Sequence, residues 1–506
     1  MGQKQQPSAD PRPDTKKKRR VAFSQIASPS LGSSLEHVPF SLCISGYRAD
    51  TGIPAKDCIK IYLVSTKEEV GSTDSLCIDP VDLNSFFEDE DGKIYGYQGL
   101  KITVWFSIVS FHAYAGIVFE STSDGGKGIT DLKSALQNIF AETLVDNKDD
   151  FLQTFSKDAN FIGSLVADGE VLHPKASSNW QFNEAKFHFQ AANSDLEVIR
   201  LPMDKMAGRN LYSRLVPLAL LLIDGISSFG FLCMIYLGSS PIDVTDPRWE
   251  LYVLSQKNNG QTHPRLRGFA ALYRFYHYPD SSRLRLSQIL ILPPYQSKGF
   301  GRFLLEVLNN VAISENVYDF TIEEPISKLQ QLRTCIDVKR LQGFSPIEEA
   351  FSSAVAQFKL GKLSKKISIP PLLPSPEAIE AVRKSLKITK EQFSHCWEIL
   401  IYLGIEHDKH MEDFILAVSS RMRDDLIGET TDAEGKQVVD VPTDYDQEMS
   451  FVMFRSTNNA TGVEMDESRA NQEEQLKKLV DDRVKEIKLI AQKVSSDQIR
   501  SISKPS

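Results

Sequence analysis

The sequence lacks the features that mark a disulfide-rich or metal-binding protein. It has only six cysteines in 506 residues, and no two of them have the CxxC spacing of a zinc or redox site. They are therefore predicted to be small buried hydrophobes in a reducing compartment. His407 and His410 lie three residues apart, but no HExxH motif or nearby cysteine accompanies them, so no metal site is predicted. We also expect no secretion signal, because the N-terminus has no apolar segment.

The chain has fewer basic than acidic residues. The chain has 58 Lys and Arg against 67 Asp and Glu, which gives a net charge of −9. This balance argues against nucleic acid as the main ligand and suits a basic partner, such as a lysine-rich tail. The hydrophobic content of 41% is typical of a soluble globular protein. The length suits about three domains.

Residues 1–36 contain few large apolar side chains and are rich in Pro, Ser, Gln and Lys. This composition predicts a disordered basic tail. The run KKKRR at 16–20 favours a nuclear-import signal, with a merely solvated tail as the alternative.

The apolar run at 215–237 is long enough to span a membrane and carries a single charge, Asp224. An acid in the middle of a span costs about 2.5–3.5 kcal/mol. The flanks show no strong positive bias, so no membrane span is predicted.

Residues 37–210 are rich in strand-forming patterns. Runs of β-branched and aromatic residues predict strands at 40–44, at 59–64 and within 100–119, and residues 129–145 have the pattern of a helix. These features predict one α+β domain. It contains an acidic run at 88–91, which is either a solvated loop or a binding surface for a basic ligand.

The most informative stretch is the turn QSKGFG at 296–301. An apolar strand-like run at 284–292 precedes it, and an apolar face with helical spacing runs from Phe300 to Val311 after it. The free N–H groups of a helix start, together with glycines that admit a ligand close to the backbone, form a cradle for an anion. The P-loop and dinucleotide motifs do not match this turn.

This turn resembles the Q/R-x-x-G-x-G/A turn of GNAT-type N-acetyltransferases, which holds the pyrophosphate of acetyl-CoA. Together with residues 286–295 and the segment DFTIEEP at 319–325, it resembles the type B histone acetyltransferase catalytic subunit, and the plant members most of all. The resemblance implies an α+β protein with a mixed α/β domain at 37–210, a GNAT catalytic domain at 211–343 and a helical domain at 344–506.

Within this framework the central strands are expected at 249–256 and 266–278. The segment 330–340 is expected to supply the closing helix and strand of the acetyltransferase fold. Helices are predicted at 375–386, 390–403 and 411–426. Apolar residues from Val480 to Val494 predict a further helix, docked either on a partner or on its own domain.

The resemblance also implies the roles of particular residues. The acetyl-CoA site would be formed by the backbone of Ile289, Leu290 and Ile291 and by the turn residues Gln296, Ser297, Lys298, Gly299, Phe300, Gly301 and Arg302. Glu323 would be the general base that a lysine substrate needs, Glu324 a helper and Asp224 a third carboxylate. Contacts to the histone tail would come from Glu90, Asp91, Tyr273, Arg274 and Phe275. No metal is implied.

Two departures from the family pattern stand out. Residues 226–238 look like an apolar insertion beside the active site, and Ile326 replaces a small polar residue near the cofactor unless Ser327 substitutes for it. The leading hypothesis is an enzyme that acetylates lysines on the tail of free, newly made histone H4. It would work with a WD-repeat histone-binding chaperone subunit, in both nucleus and cytoplasm. The alternatives are a histone-binding scaffold impaired by the insertion, and a GNAT enzyme for small amines or N-termini.

Overall fold

A computed structural model describes most of the chain from Gly52 onward. The described residues are 52–72, 74–81, 83, 87, 92–172, 194–223, 242–258, 262–359, 372–434 and 462–502. All of them belong to one compact unit, Tyr47–Ser506. Five predicted features lie outside the described residues: the tail at 1–36, the strand at 40–44, the acidic run that includes Glu90 and Asp91, Asp224, and the segment 226–238.

The N-terminal part is built on a mixed sheet of five strands. Its elements are β1 (Ile53–Pro54), α1 (Ala55–Cys58), β2 (Ile59–Val64), β3 (Leu76–Ile78), β4 (Lys93–Ile94), β5 (Tyr97–Gln98), β6 (Lys101–Ser107), β7 (Ala113–Val118), β8 (Ser121–Thr122), α2 (Leu132–Phe140), β9 (Leu144–Val145), α3 (Lys148–Lys157) and α4 (Phe161–Val166). The sheet has the order β3-β2-β6-β7-β9.

The predictions for this part are confirmed for the strands that fall within the described residues and are partly wrong for the helix. Residues 59–64 form β2, and the run 100–119 forms the antiparallel pair β6 and β7. The helix predicted at 129–145 ends at Phe140, because Ala141 adopts a φ of 45°. Val145 then pairs in parallel with Tyr114 of β7, so sheet pairing takes precedence over the helical pattern.

The apolar run that begins at 215 lies in helix α5 (Met206–Leu222) as far as that helix extends. Leu211, Leu215 and Leu218 are fully buried in the largest hydrophobic cluster, which also includes core residues of the N-terminal sheet. Among the described helices, none is both long and apolar enough to cross a membrane.

A six-stranded sheet forms the centre of the protein. Its strands are β10 (Glu170–Leu172), β11 (Ser194–Pro202), β12 (Trp249–Asn258), β13 (Arg265–His277), β14 (Ser281–Ile291) and β15 (Phe320–Ile322). Each strand pairs with the next, antiparallel as far as β14, and β14 and β15 are parallel. The strands predicted at 249–256, 266–278 and 284–292 are therefore confirmed.

The two faces of this sheet pack against different layers, because alternate residues of a strand point to opposite sides. The first face, with Leu251 and Phe269, packs in the cluster that contains α5 and the N-terminal core. The second face, with Leu272 and Leu286, packs against helix α6 (Phe300–Ser314).

The prediction of a closing helix and strand at 330–340 is wrong for the strand. The whole segment lies in helix α7 (Ser327–Gln342). Cys335, Val338 and Leu341 are buried at three-residue steps in the cluster of the C-terminal helices. This helical spacing buries one side of the segment without a strand.

The C-terminal part is helical, as predicted. Its helices are α8 (Glu348–Lys359), α9 (Pro376–Leu386), α10 (Lys390–Gly404), α11 (His407–Glu434) and α12 (Gly462–Ile502). The apolar residues of α12 from Val480 to Val494 are buried against this part itself, which decides between the two predicted docking modes. Overall the protein is α+β.

Of the four cysteines within the described residues, three follow the prediction. Cys58, Cys335 and Cys396 are buried, and burial raises the pKa of Cys58 to about 12. Cys77 is exposed, because it lies on the edge strand β3, where the neighbouring Ile78 is the residue that points into the core.

Candidate active site

The candidate site lies where strands β14 and β15 separate. They pair only from Leu284 to Leu286 on β14, and the last contact is the Glu323 N–H, which donates to the Leu286 carbonyl at 2.9 Å. Strand β13 continues to pair with β14 as far as Ile291. Beyond Leu286, therefore, no strand in the described parts of the chain pairs with the second edge of β14.

A β-bulge at Ser287 decides which backbone groups face this open edge. Across the bulge, Ala271 pairs with Gln288 but Leu272 pairs with Leu286, so Ser287 is the extra residue. Buried Gln288 is fixed by the hydroxyl of Tyr212 on α5, which donates to its side-chain oxygen at 3.0 Å.

The backbone direction after the bulge follows from one hydrogen bond. The Leu292 N–H donates to the Arg267 carbonyl of β13 at 3.0 Å. Because backbone direction alternates along a strand, Leu290 also faces β13, whereas the N–H and C=O groups of Ile289 and Ile291 face the open edge. Of the three predicted cofactor residues on this strand, two present their backbone to the edge.

The predicted anion cradle lies at the end of β14. Gly299 is the N-cap of α6 with a φ of 89°, which is the left-handed region that favours glycine, and no side chain caps this helix start. The first turn contains no acidic residue, so its free N–H groups and the helix dipole favour an anion there. A Cβ on Gly301 would lie 3.6 Å from Ile291 Cγ1, at ordinary van der Waals distance, so the first turn of α6 packs closely against the end of β14.

The other side chains of the turn are held mainly by local contacts. Gln296 Nε2 donates to the Ile291 carbonyl at 2.9 Å, and Lys298 Nζ donates to the Pro294 carbonyl at 2.8 Å. Ser297 has a φ of 59°, and Phe300 is buried in the core. Arg302 donates to Glu306 at 3.2 Å. The cradle is therefore formed mainly by backbone, with Lys298 as the exposed cation.

Three polar atoms near the separation point are buried and have no hydrogen-bond partner. They are Arg285 Nε, Ser287 Oγ and Thr321 Oγ1. Arg285 and Thr321 are paired residues of β14 and β15, and Ser287 is the bulge residue. Buried polar groups are normally satisfied, so three orphans in one place fit a polar ligand that lies along this edge.

The predicted carboxylates lie directly after β15. Glu323 is exposed, and its Oε1 is 3.3 Å from Nη2 of Arg285. Glu324 has a φ of 35°, which turns the chain at this residue. Strand alternation places Glu323 on the first face of the sheet, together with Arg285. Ile326 is 57% exposed, and Ser327 begins α7.

Two of the three predicted tail contacts on β13 share this face. The rings of Tyr273 and Phe275 have centroids 4.6 Å apart, and Trp249 lies 4.8 Å from Tyr273. The Arg285 guanidinium lies 4.4 Å from the Phe275 ring, so it bridges this aromatic row and Glu323.

Arg274 points to the opposite face. Its Nη2 donates to Glu250 at 3.0 Å and to Glu315 at 2.7 Å. The structure therefore brings Tyr273 and Phe275 together with Glu323 and leaves Arg274 away from them.

An acidic group also borders the aromatic row. The Tyr273 hydroxyl donates to Asp246 Oδ2 at 3.0 Å, and Arg248 donates to the same carboxylate at 2.7 Å. Hydrogen bonding from Arg248 lowers the pKa of Asp246 to about 2, so this carboxylate is ionised at neutral pH.

Sequence reasoning missed Arg285, Ser287 and Thr321 as site residues. Their signal was the alternation of Arg283, Arg285 and Ser287 with leucines, which places polar side chains in a row along a strand that otherwise looks apolar. In the described residues, no group of three or more His, Cys, Asp or Glu side chains is arranged to hold a metal.

Comparison with known proteins agrees with this geometry. Residues 51–224 match the family model described as "Histone acetyl transferase HAT1 N-terminus". The histone acetyltransferase type B catalytic subunit of Arabidopsis thaliana is 52% identical over 501 residues, which cover 98% of each chain. The subunit of the same name from Zea mays is 40% identical over 491 residues, which cover 95% of this chain and 94% of its own.

A solved aminoglycoside acetyltransferase from a soil metagenomic sample is 12% identical to this chain, covers 29% of it and has a TM-score of 0.19, which is too low to bear on function. The two plant relatives align over nearly their full length, and this extent decides the assignment. The chain belongs to the family of histone acetyltransferase type B catalytic subunits and is an acyltransferase.

Proposed function

We propose that the protein transfers the acetyl group of acetyl-CoA to lysine side chains on the N-terminal tail of free, newly synthesised histone H4. One observation carries this proposal. The edge of β14 with which no described strand pairs runs from the anion cradle at Gly299 to the carboxylate of Glu323. An acetyl donor and a lysine acceptor can therefore meet along this one strand.

The donor half of the site fits acetyl-CoA. The free N–H groups at the start of α6 suit its diphosphate. The outward backbone groups of Ile289 and the outward N–H of Ile291 suit the amides of its pantetheine arm, whereas the Ile291 carbonyl is already bonded to Gln296. Ser287 and Thr321 supply unpartnered polar atoms near the reacting end. Acetyl-CoA contributes an activated thioester, whose carbonyl is stabilised by fixed hydrogen-bond donors as negative charge develops on it.

The acceptor half must remove a proton. A free lysine has a pKa near 10.4, so deprotonation at pH 7 costs about 4–5 kcal/mol. Glu323 is the carboxylate on the same face as the aromatic row, and Arg285 holds it there through the 3.3 Å ion pair. We assign the general base to Glu323, with Glu324 and Asp224 as the further carboxylates of the site.

A histone tail suits the surface beside this base. Tyr273 and Phe275 form an apolar wall for the methylene chain of a lysine, and Asp246, which is paired with Arg248, places a carboxylate beside this wall. The net charge of −9 suits a basic peptide. Glu90 and Asp91 are proposed as further acidic contacts for the tail. The names of the plant relatives support histone as the substrate class.

The same family membership motivates two further proposals. The protein would act with a WD-repeat histone-binding chaperone subunit. It would be present in both cytoplasm and nucleus, with the basic run at 16–20 as the import signal.

The second candidate function is a histone-binding scaffold with impaired catalysis. The apolar segment 226–238 follows Asp224 almost directly, and an exposed apolar segment beside a cleft would reduce stability or block access.

One experiment separates the two candidates. Acetyl transfer to an H4 tail peptide is measured with the full chain, with Glu323→Gln and with a version that lacks residues 226–238. We expect activity from the full chain and a loss of about a hundredfold or more in Glu323→Gln, because a positioned base contributes that much. Glu377→Gln, at an exposed residue of α9, is the matched control and should keep full activity.

The outcomes are distinct. Activity only in the shortened version would make the segment the defect and favour the scaffold. A fully active Glu323→Gln would remove Glu323 as the base. If no version acetylates the peptide although acetyl-CoA binds, the histone tail is the wrong substrate.

A further inference from the structure

Two arginines lie beside the anion cradle at the start of β13. The Arg267 carbonyl accepts the Leu292 N–H at the end of β14, and the Arg267 guanidinium lies 4.1 Å from the ring centroid of Tyr295. Tyr295 directly precedes the turn, and Lys298 Nζ lies 5.9 Å from the same ring. Arg265 is two residues away at the first position of the strand.

Neither arginine has a carboxylate partner in the described part of the chain. Arg267 is only 5% exposed, and its polar contact is the Nε donation to the Gln256 side chain at 2.9 Å. Arg265 Nη1 is buried and has no hydrogen-bond partner. Burial lowers the pKa of Arg265, the phenol of Tyr295 acts against this shift, and the neighbouring charge of Arg267 adds to it.

Other buried arginines of the protein are paired with carboxylates, whereas no described carboxylate pairs with Arg265 or Arg267. Arg340 Nη1 lies 2.8 Å from Asp337, and Arg483 Nη2 lies 2.7 Å from Glu398. A buried cation is costly unless an anion compensates it. Two adjacent guanidinium groups without such an anion therefore indicate an anionic ligand from outside the chain.

We infer that Arg265 and Arg267 bind a phosphate monoester, namely the 3′-phosphate on the ribose of the acetyl donor. This inference rests on the proposed function and extends it. The α6 cradle suits the diphosphate of the donor, and its remaining phosphate is one ribose ring away. Arginine is suited to this group because its planar fork donates two hydrogen bonds to phosphate oxygens.

The test compares acetyl-CoA with its 3′-dephospho form by isothermal titration calorimetry, on the full chain, Arg265→Gln and Arg267→Lys. The full chain should bind acetyl-CoA about ten- to a hundredfold more tightly than the dephospho form, because hydrogen bonds to charged groups contribute that much. In Arg265→Gln this preference should nearly vanish, while affinity for the dephospho form stays unchanged. Arg267→Lys keeps the charge and should keep part of the preference.

The control is Arg423→Gln, an exposed arginine on α11 whose loss changes net charge equally. It should keep the full preference. Melting curves of each variant exclude a folding defect as the cause.

Each contrary result has a separate meaning. If the full chain binds both forms equally, or if Arg265→Gln keeps the full preference, the inference is wrong and the proposed function stands. If the full chain binds neither form, the acetyl-CoA proposal itself fails.

Discussion

Two buried carboxylates of the C-terminal helices have several hydrogen-bonding and ionic partners, whereas three buried polar atoms at the central cleft have none within the described residues. In the C-terminal part, Glu398 is 1% exposed and lies against the guanidinium groups of Arg483 and Arg421. Asp337 likewise accepts from Arg340 at 2.8 Å and from Gln392 at 3.1 Å. At the cleft, Ser287 Oγ, Thr321 Oγ1 and Arg285 Nε have no partner at all.

This difference distinguishes polar groups that stabilise the fold from polar groups that are left for a ligand. A buried polar atom without a partner costs about 1–3 kcal/mol, and a chain accepts several of them in one place where a ligand will satisfy them. Of the other unpartnered atoms, those on His112, Arg209 and Trp397 lie apart from one another in the sequence, and Arg265 Nη1 lies at the start of β13 beside the cradle. Completed networks stabilise the fold, and incomplete ones mark the cleft.

The largest effect is expected from breaking the completed network. Glu398→Ala would remove the carboxylate that half-buried Arg421 and buried Arg483 share. Although Arg483 keeps Glu486, breaking a buried ion pair typically costs about 3–5 kcal/mol of unfolding free energy. Urea unfolding followed by circular dichroism measures this loss. Glu474→Ala, at an exposed residue of the same helical part, should change stability by less than about 0.5 kcal/mol. Equal stability of both variants would show that the network is not structural.

The second largest effect is expected at the cleft, where the buried polar atoms lack described partners. Arg285→Gln removes the ion pair that holds Glu323 and the cation over Phe275. We expect kcat to fall by about ten- to a hundredfold, because a small misplacement of a catalytic group costs that much. The KM for a lysine peptide should not rise, since removing a cation from the cleft lessens repulsion of the ammonium group. Arg285→Lys should recover part of kcat. A raised KM with unchanged kcat would make Arg285 a substrate contact instead.

Sequence reasoning predicted the local features of this site well and its long-range contacts poorly. The strand at 284–292, the turn at 296–301 and the helix from Phe300 are specified by nearby residues, and the structure confirms them. The bulge at Ser287 depends on how β13 and β14 pair, and no pattern within β14 alone encodes it. The missed Arg285–Glu323 contact joins residues 38 positions apart through sheet pairing.

Two features of the structure had signals that the sequence did contain. Strand alternation separates Arg274 from Tyr273 and Phe275, although the family resemblance grouped all three. The strand expected within 330–340 was wrong because Cys335, Val338 and Leu341 have helical spacing. The roles of Glu323, Glu324 and the turn residues remain predictions.

A smaller effect is expected at the cradle. Gly299→Ala places a side chain at a φ of 89°, which costs about 1–2 kcal/mol and disturbs the first turn of α6. Acetyl-CoA affinity should fall by about five- to tenfold, as measured by calorimetry. Gly126→Ala is the matched control, because Gly126 also has a positive φ, of 94°, but lies on an exposed turn of the N-terminal part with open space around it. Equal donor affinity in both variants would remove the cradle from the site.

The smallest effect tests the completed network by pH. Hydrogen bonding from His395, with the charge of Arg483, lowers the pKa of Glu486 from its ordinary value of 4.5 to about 2. A carboxylate with a lowered pKa stabilises the fold above its ordinary value, and this contribution is lost as pH falls from about 4.5 towards 2. Glu486→Gln should therefore be less stable than the unmodified chain at pH 6, by about 1 kcal/mol after allowance for partial exposure. The difference should shrink when urea unfolding is repeated at pH 3. A difference that stays constant between these pH values would show that Glu486 acts through packing rather than charge, and the completed network would then owe less to ion pairing than its geometry indicates.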